Sequence, residues 1–224
     1  MSVGLDHHAY VHEPGGPLTL VLLHGTGADE RDLLPLGRFL ADDATLLSPR
    51  GNVLEGPMPR WFARHAEGVL DTADVIRRAH ELADWVEVAV AHHGLDPTRL
   101  VAAGFSNGAN IAAATLLLRP ATFRAAALFA PMVPLRDGDL SAHEQPVRGD
   151  LSPTSVFVSA GRHDPICAPE QAEELAGMLD ERGAAVELAW HDGGHQLPRD
   201  HAVQAREWLT RWQAASATEP GGVA

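Results

Sequence analysis

The sequence predicts an α/β protein with a mostly parallel central sheet, helices on both faces and no lid domain. Three observations carry this. Short apolar runs ending in Gly or Pro recur along the chain, segments of helical period lie between them, and no internal repeat or second core divides the 224 residues. Continuous apolar runs of this length suit strands buried on both faces. Alternation with helices implies right-handed crossovers between parallel neighbours.

The first run is Leu18–Leu23, which ends in His24-Gly25-Thr26-Gly27. Leu100–Ala103 precedes Gly104, Ala125–Ala130 precedes Pro131, and Ser155–Ala160 precedes Gly161. Ala44–Leu47 and Val186–Trp190 are weaker strand candidates. Asp71–Val90 has Val75, Ile76, Ala79, Leu82, Ala83, Val86 and Val90 on one helical face. Asn110–Leu118, Pro169–Asp180 and His201–Trp212 read as further helices, with Pro169 placed to start its own. Ser48–Gly68 and Pro131–Pro153 read as loops too short for a separate lid. Residues 1–214 are expected to form one domain. Residues 215–224, with Pro220, Gly221 and Gly222, are expected to form a mobile tail.

Composition narrows the function. Seventeen Lys and Arg against thirty Asp and Glu leave a formal charge of −13. That balance disfavours nucleic acid and anionic membranes, which recruit cationic surfaces. Cys167 is the single cysteine, so no intrachain disulfide can form. Met1–Pro17 hold His, Asp and Glu where a signal peptide needs a basic start and an apolar run, and a cytoplasmic protein is expected.

The sharpest chemical signal is Gly104-Phe105-Ser106-Asn107-Gly108. It lies between a strand and a helix, as a nucleophile elbow requires. Chance would supply only about 0.07 such Gly-x-Ser-x-Gly matches at this composition, before strand and helix context is asked for. A serine hydroxyl needs a base to take its proton, and the base needs an orienting carboxylate. In this kind of fold the acid and then the base follow the serine along the chain. Asp164 in Gly161-Arg162-His163-Asp164-Pro165 follows a later strand and is the expected acid, with Asp192 and Asp150 as alternatives. His195 in Gly193-Gly194-His195-Gln196 follows the last strand and is favoured as base over His191 and His201. Backbone amides of Thr26 and Asn107 are expected to form the oxyanion hole. His24 is expected to order its loop. Trp61, Phe62, Met132 and Val133 are the candidates to line the substrate pocket.

These pieces resemble the small carboxylesterase/phospholipase/thioesterase group of the α/β-hydrolase superfamily. The resemblance rests on Leu22–Gly27, Gly104–Asn110, Gly161–Pro165 and Gly194-His195. Arg50–Glu55, Met58–Phe62, Ser106–Ile111, Met132–Pro134 and Asp164–Cys167 are similar to a bacterial carboxylesterase branch associated with hydroquinone and quinone resistance. It implies an α/β-hydrolase fold and acyl transfer by Ser106, Asp164 and His195, with no cofactor and no metal. Asn107 departs from the broader group, where Gln is common after the serine; only its backbone should matter for the oxyanion.

Two rival readings are weaker. Thirteen histidines include His7-His8 and His92-His93, but no HExxH occurs, so a helix-borne zinc pair is not expected. A non-catalytic binding protein on a hydrolase scaffold usually lacks a triad residue, and here all three candidates are present. The expected partner is a small-molecule ester, with thioesters and lysophospholipids served by the same triad. Nucleic acid and stable membrane association are not expected, and a homodimer is compatible with the sequence.

Overall fold

A computed structural model of the chain describes residues 3–142 and 150–216. Its main sheet has seven strands. In chain order the strands begin with β1 (Tyr10–Glu13), β2 (Gly16–Leu23) and β3 (Ala44–Pro49). Four short strands follow: β4 (Val53–Glu55), β5 (Met58–Arg60), β6 (Arg64–Ala66) and β7 (Val69–Leu70). The rest are β8 (Leu100–Phe105), β9 (Ala125–Phe129), β10 (Ser155–Gly161) and β11 (Ala185–His191). The helices are α1 (Leu34–Leu40), α2 (Thr72–His93), α3 (Asn107–Leu118), α4 (Asp137–Ala142), α5 (Pro169–Asp180) and α6 (Arg199–Ser216).

The sheet order is β1-β3-β2-β8-β9-β10-β11. Only the β1–β3 pair is antiparallel; the other pairs are parallel. The apolar runs make strands because both faces of the sheet are covered, and period-two alternation divides their side chains. Leu18, Leu20 and Leu22 of β2 join α1 and α6 in one core, together with Val101 and Ala103 of β8. Val21 and Leu23 point the other way, into the core made with α2, α3 and α5. Every residue of α3 is buried, which is why this helix is apolar around its circumference rather than along one stripe.

Helix α2 has local start and stop signals as well as an apolar face. The Asp71 carboxylate accepts the Asp74 N–H at its beginning, and Gly94 ends it in the left-handed region at φ 65°. Pro169 starts α5.

The structure departs from the sequence expectation in five places. β1 was not anticipated: its four residues are all half-buried and carry no apolar run. α1 also escaped, since its seven residues span only two turns. The Ser48–Gly68 segment is not an open loop, because β4–β5 and β6–β7 form two small antiparallel hairpins. Within Pro131–Pro153 lies α4, and residues 143–149 fall outside the described part. Ala215 and Ser216 belong to α6 rather than to a tail, and residues 217–224 also lie outside the described part. Among the described residues, no helix is long and apolar enough to cross a membrane.

This order puts a switch point at β2. The chain goes from β2 to β3 on one side, and later returns as β8 on the other. Open α/β sheets form ligand crevices at the carboxyl ends of strands beside such a point. The segments Gly25–Gly27 and Ser106–Gly108 leave β2 and β8 there, side by side.

Candidate active site

Ser106 sits between β8 and α3 with φ 51° and ψ −114°, outside the regions a side-chain-bearing residue prefers. Such a conformation costs about 1–3 kcal/mol and persists only where surrounding structure enforces it. Here the Ser106 N–H donates to Phe129 O at 2.8 Å, and Ser106 O accepts the Asn110 N–H at 2.9 Å. The flanking glycines permit the tightness. A Cβ on Gly104 would stand 2.5 Å from Gly108 O, and one on Gly108 would overlap the Leu23 carbonyl. Gly108→Ala is therefore expected to cost about 3 kcal/mol or more, because backbone cannot move aside as a side chain can. A thermal melt should show a loss of about 10 °C, and an unchanged midpoint would refute this account of the elbow.

The three residues proposed to share the chemistry come from the carboxyl ends of three strands. Ser106 follows β8, Asp164 follows β10 and His195 follows β11. His195 Nε2 lies 2.8 Å from Ser106 Oγ, and His195 Nδ1 lies 2.8 Å from Asp164 Oδ2. A carboxylate only accepts, so Nδ1 carries the proton and Nε2 is left to accept from the serine hydroxyl. The other Asp164 oxygen, Oδ1, accepts the N–H groups of Ile166 at 2.8 Å and Cys167 at 2.9 Å. The carboxylate is thus held from both ends. Phe105 packs against the His195 ring at 5.3 Å between centroids.

The alternatives weighed from sequence lie elsewhere. Asp150 accepts the Ser152 N–H, beside the start of β10 and away from Ser106. The Asp192 carboxylate faces Arg162 on the surface. His201 is buried against Ser159, its Nδ1 2.8 Å from Ser159 Oγ. His191 belongs to β11 and takes the Gly193 N–H.

Thr26 and Asn107 both border the pocket at Ser106. Asn107 opens α3, where backbone N–H groups have no intrahelical acceptor and favour negative charge. The His24 ring orders the other loop. Its Nδ1–H donates to Gly25 O at 2.7 Å, and its Nε2 accepts the Gly51 N–H at 2.9 Å. Accepting the Gly51 N–H requires the neutral ring, and burial holds its pKa below the ordinary imidazole value. Arg60, nearly fully buried, donates from Nη1 to Thr26 Oγ1 and Glu55 Oε2, each at 3.0 Å. Sequence reasoning does not single out Arg60 or Phe105, because the contacts that bring them to the site, with Thr26 and His195, come from distant parts of the chain. The Met58-Pro59-Arg60 motif was the available signal for Arg60.

The cavity over Ser106 measures about 410 Å³. Met58, Leu70, Phe105, Met132 and Ile166 supply much of its apolar wall. Of the four expected lining residues, only Met132 is there. Trp61 and Phe62 are core residues, 2% and 0% exposed. The Trp61 indole N–H donates to His24 O and its backbone N–H to Asn107 Oδ1, so it braces the site from below. Val133 is likewise buried in the core, among side chains of the helical layer. A larger cavity of about 490 Å³ lies between the ends of α2 and α3. It opens near Leu100, the first residue of β8, and its polar lining is Glu87, Arg119 and Thr122, with no histidine to act as a base.

Among the described residues, one grouping has metal-ligand spacing: atoms of Asp164, Cys167 and His195 within 4.8 Å of one another. Its donors are already engaged. Asp164 holds His195 and two backbone amides, and the Cys167 thiol donates to Ala130 O. Burial, reinforced by the charge of Asp164, pushes that thiol up to about 12, which keeps it protonated. The arrangement suits proton relay through hydrogen bonds better than ligation of a cation.

A model of the phospholipase/carboxylesterase family matches residues 7–213. The putative hydrolase MhqD of Bacillus subtilis is 45% identical over 200 residues, covering 89% of this chain and 96% of that protein. The crystal structure of a Bacillus cereus carboxylesterase superposes with a TM-score of 0.84 at 41% identity, over 90% of this chain and 92% of that one. A carboxylesterase structure from Mesorhizobium loti gives a TM-score of 0.79 at 31% identity, over 87% and 89% of the two chains. With elbow, sheet order and sequence in agreement, the chain belongs to the phospholipase/carboxylesterase family of α/β hydrolases.

Proposed function

We propose that the chain is a serine carboxylesterase that cleaves small carboxylic esters through an acyl-enzyme on Ser106. The observation that carries this reading is the unbroken hydrogen-bond line from Ser106 Oγ through His195 to Asp164, with both links at 2.8 Å. In the first step Ser106 Oγ bonds to the ester carbonyl carbon as His195 Nε2 takes the serine proton. Asp164, already paired with Nδ1–H, stabilises the resulting imidazolium. The carbonyl oxygen becomes an oxyanion, stabilised by the backbone amides of Thr26 and Asn107. Collapse expels the alcohol, which leaves with the proton from Nε2. Water then repeats the sequence on the acyl-serine: His195 takes its proton, the acid departs and Ser106 regains its hydrogen. No cofactor or metal enters these steps, and the substrate is a small molecule of the cytoplasm.

Substrate size follows from the cavity. Each buried methylene is worth about 0.8 kcal/mol, so transition-state binding improves with acyl length only until the apolar wall ends. A space of about 410 Å³, shared between acyl and leaving groups, is too small to enclose the longest acyl chains of lipids. Short-chain or small aryl esters are therefore expected to be preferred over long-chain lipids. The test is kcat/KM for p-nitrophenyl esters of two to sixteen acyl carbons below their micelle concentrations. A steady rise to the longest chain would move the enzyme to the lysophospholipase reading.

A further inference from the structure

We propose that His191 is a positioning residue for the proposed base: its neutral ring clamps the 191–196 loop so that His195 meets both Ser106 and Asp164. This rests on the triad reading above and adds a residue to it. His191 ends β11, four positions before His195, and is 8% exposed. Its Nδ1 accepts the Gly193 N–H at 3.1 Å. An accepting Nδ1 leaves the proton on Nε2, and Nε2 is fully buried with no hydrogen-bond partner.

The surroundings show what the ring holds. Beyond Gly193 the loop is zipped to the segment carrying Asp164. Arg162 N–H donates to His191 O at 2.8 Å, and His163 N–H donates to Gly193 O at 3.1 Å. Packing there is close enough that glycine is required. A Cβ on Gly161 would stand 2.5 Å from Gly194 O, 2.6 Å from Gly193 O and 3.0 Å from His191 Cε1. A Cβ on Gly193 would stand 2.6 Å from the Gln196 amide nitrogen and 2.9 Å from His191 Nδ1. Acid loop and base loop therefore form one unit, joined also by the His163 side chain, whose Nδ1–H donates to Asp192 O at 3.0 Å; within that unit the His191 ring holds the turn of the base loop itself. From below, the ring abuts His201 of α6 edge to face at 4.9 Å, and His201 is in turn held at Ser159 of β10.

The clamp works only while His191 is neutral. A proton on Nδ1 would replace an acceptor with a donor and expel the Gly193 N–H. The groups facing the ring are His201 and Asp200 from α6 and Asp164 from the acid loop. Desolvation, then His201, holds the ring below the ordinary imidazole value, against smaller opposing effects of Asp200, Asp164 and a backbone contact at Gln196. The sign is plain: as pH falls past that ordinary value the loop first stays clamped, and it loosens only at lower pH, when His191 finally takes a proton.

The test compares His191→Asn, whose side-chain oxygen can stand in for Nδ1 but does not titrate, with His191→Leu, which removes the acceptor. Circular dichroism checks folding, and kcat and KM for p-nitrophenyl acetate are followed from pH 4.5 to 9. At pH 8 the Leu enzyme should lose about 10- to 100-fold in kcat, since misplacing a catalytic group by about 1 Å costs that much. Its KM should change by less than about twofold, because the contact acts on the transition state and not on substrate binding. The Asn enzyme should keep kcat within about threefold at pH 8. In the native enzyme the slope of log kcat against pH should steepen from one to two at low pH, and in the Asn enzyme it should stay at one. A folded Leu enzyme with native kcat overturns the proposal, as does an Asn enzyme that falls as far as Leu or steepens as the native one does. If the Leu enzyme does not fold, the Asn profile decides alone. A His195→Ala control separates the two levels. Activity surviving there, together with its loss in both His191 variants, would make His191 the base and overturn the triad reading itself.

Discussion

Ser106→Ala is expected to fold like the native chain and to lose about 10⁴- to 10⁶-fold in kcat, the scale seen when a triad nucleophile is removed. The substitution deletes one oxygen. It leaves the contacts that build the elbow, since Ser106 N–H to Phe129 O and Asn110 N–H to Ser106 O both use backbone atoms. The φ of 51° is as unwelcome for Ala as for Ser, so the strain cancels in the comparison. What disappears is the atom that would form the acyl bond. The residual rate would come from binding and from the oxyanion donors acting on water. Turnover of p-nitrophenyl acetate, measured with fluorophosphonate labelling of the same samples, checks this. Native turnover and undiminished labelling in the variant would take Ser106 out of the mechanism.

The parts of the molecule that could be read from sequence are those whose physics is local or fully buried. β2, β8, β9 and β10 are covered on both faces, so they appear as plain apolar runs. α2 has its own start and stop, with Asp71 and Gly94 bounding a periodic face. β1 is different. It pairs only with β3 at the sheet edge, and its half-buried residues Tyr10–Glu13 need no apolar pattern. The β4–β5 and β6–β7 hairpins have strands of two or three residues, too short to show a period.

The site divides along the same line. Ser106, Asp164 and His195, the residues proposed for the chemistry, could be chosen because each follows a strand and sits among glycines or turn residues, features contained in five-residue windows. Pocket lining could not be chosen that way. Trp61 and Phe62 in a Pro- and Gly-rich segment look like loop aromatics facing a ligand. The β4–β5 hairpin instead turns them inward, where Trp61 joins the loop at His24 to the start of α3. Phe105, inside the elbow motif itself, faces His195 from ninety residues away, a contact that only the sheet order creates. The structural burden on His24 was visible as a histidine at a strand exit, whereas that on His191 was not. Both rings accept a glycine N–H, from Gly51 and Gly193, and only coordinates tell such an acceptor from a base.

His195→Ala is expected to cost nearly as much kcat as Ser106→Ala, about 10⁴- to 10⁶-fold, and the double variant is expected to cost little more than either. The reason lies in the chemistry of a weak nucleophile. Without Nε2 at 2.8 Å the serine proton has no acceptor, and Oγ at neutral pH is no better than an ordinary alcohol. Without Oγ the base has nothing to activate on the acylation path. Each loss therefore forfeits the same step, and the two cannot add as independent sites would. Asp164→Asn should be severe but smaller, about 10⁴-fold. An amide placed at Oδ2 can present N–H to Nδ1, which favours the tautomer with its proton on Nε2, where it blocks acceptance from serine. The neighbouring contacts sharpen this, because Oδ1 must keep accepting from Ile166 and Cys167, and that orientation directs the new NH₂ at the imidazole. The measurement is a cycle of four enzymes, native, Ser106→Ala, His195→Ala and the double variant, with kcat/KM for one ester at one pH. Additive losses in log kcat/KM would show Ser106 and His195 acting separately and would sink the relay from Ser106 to Asp164.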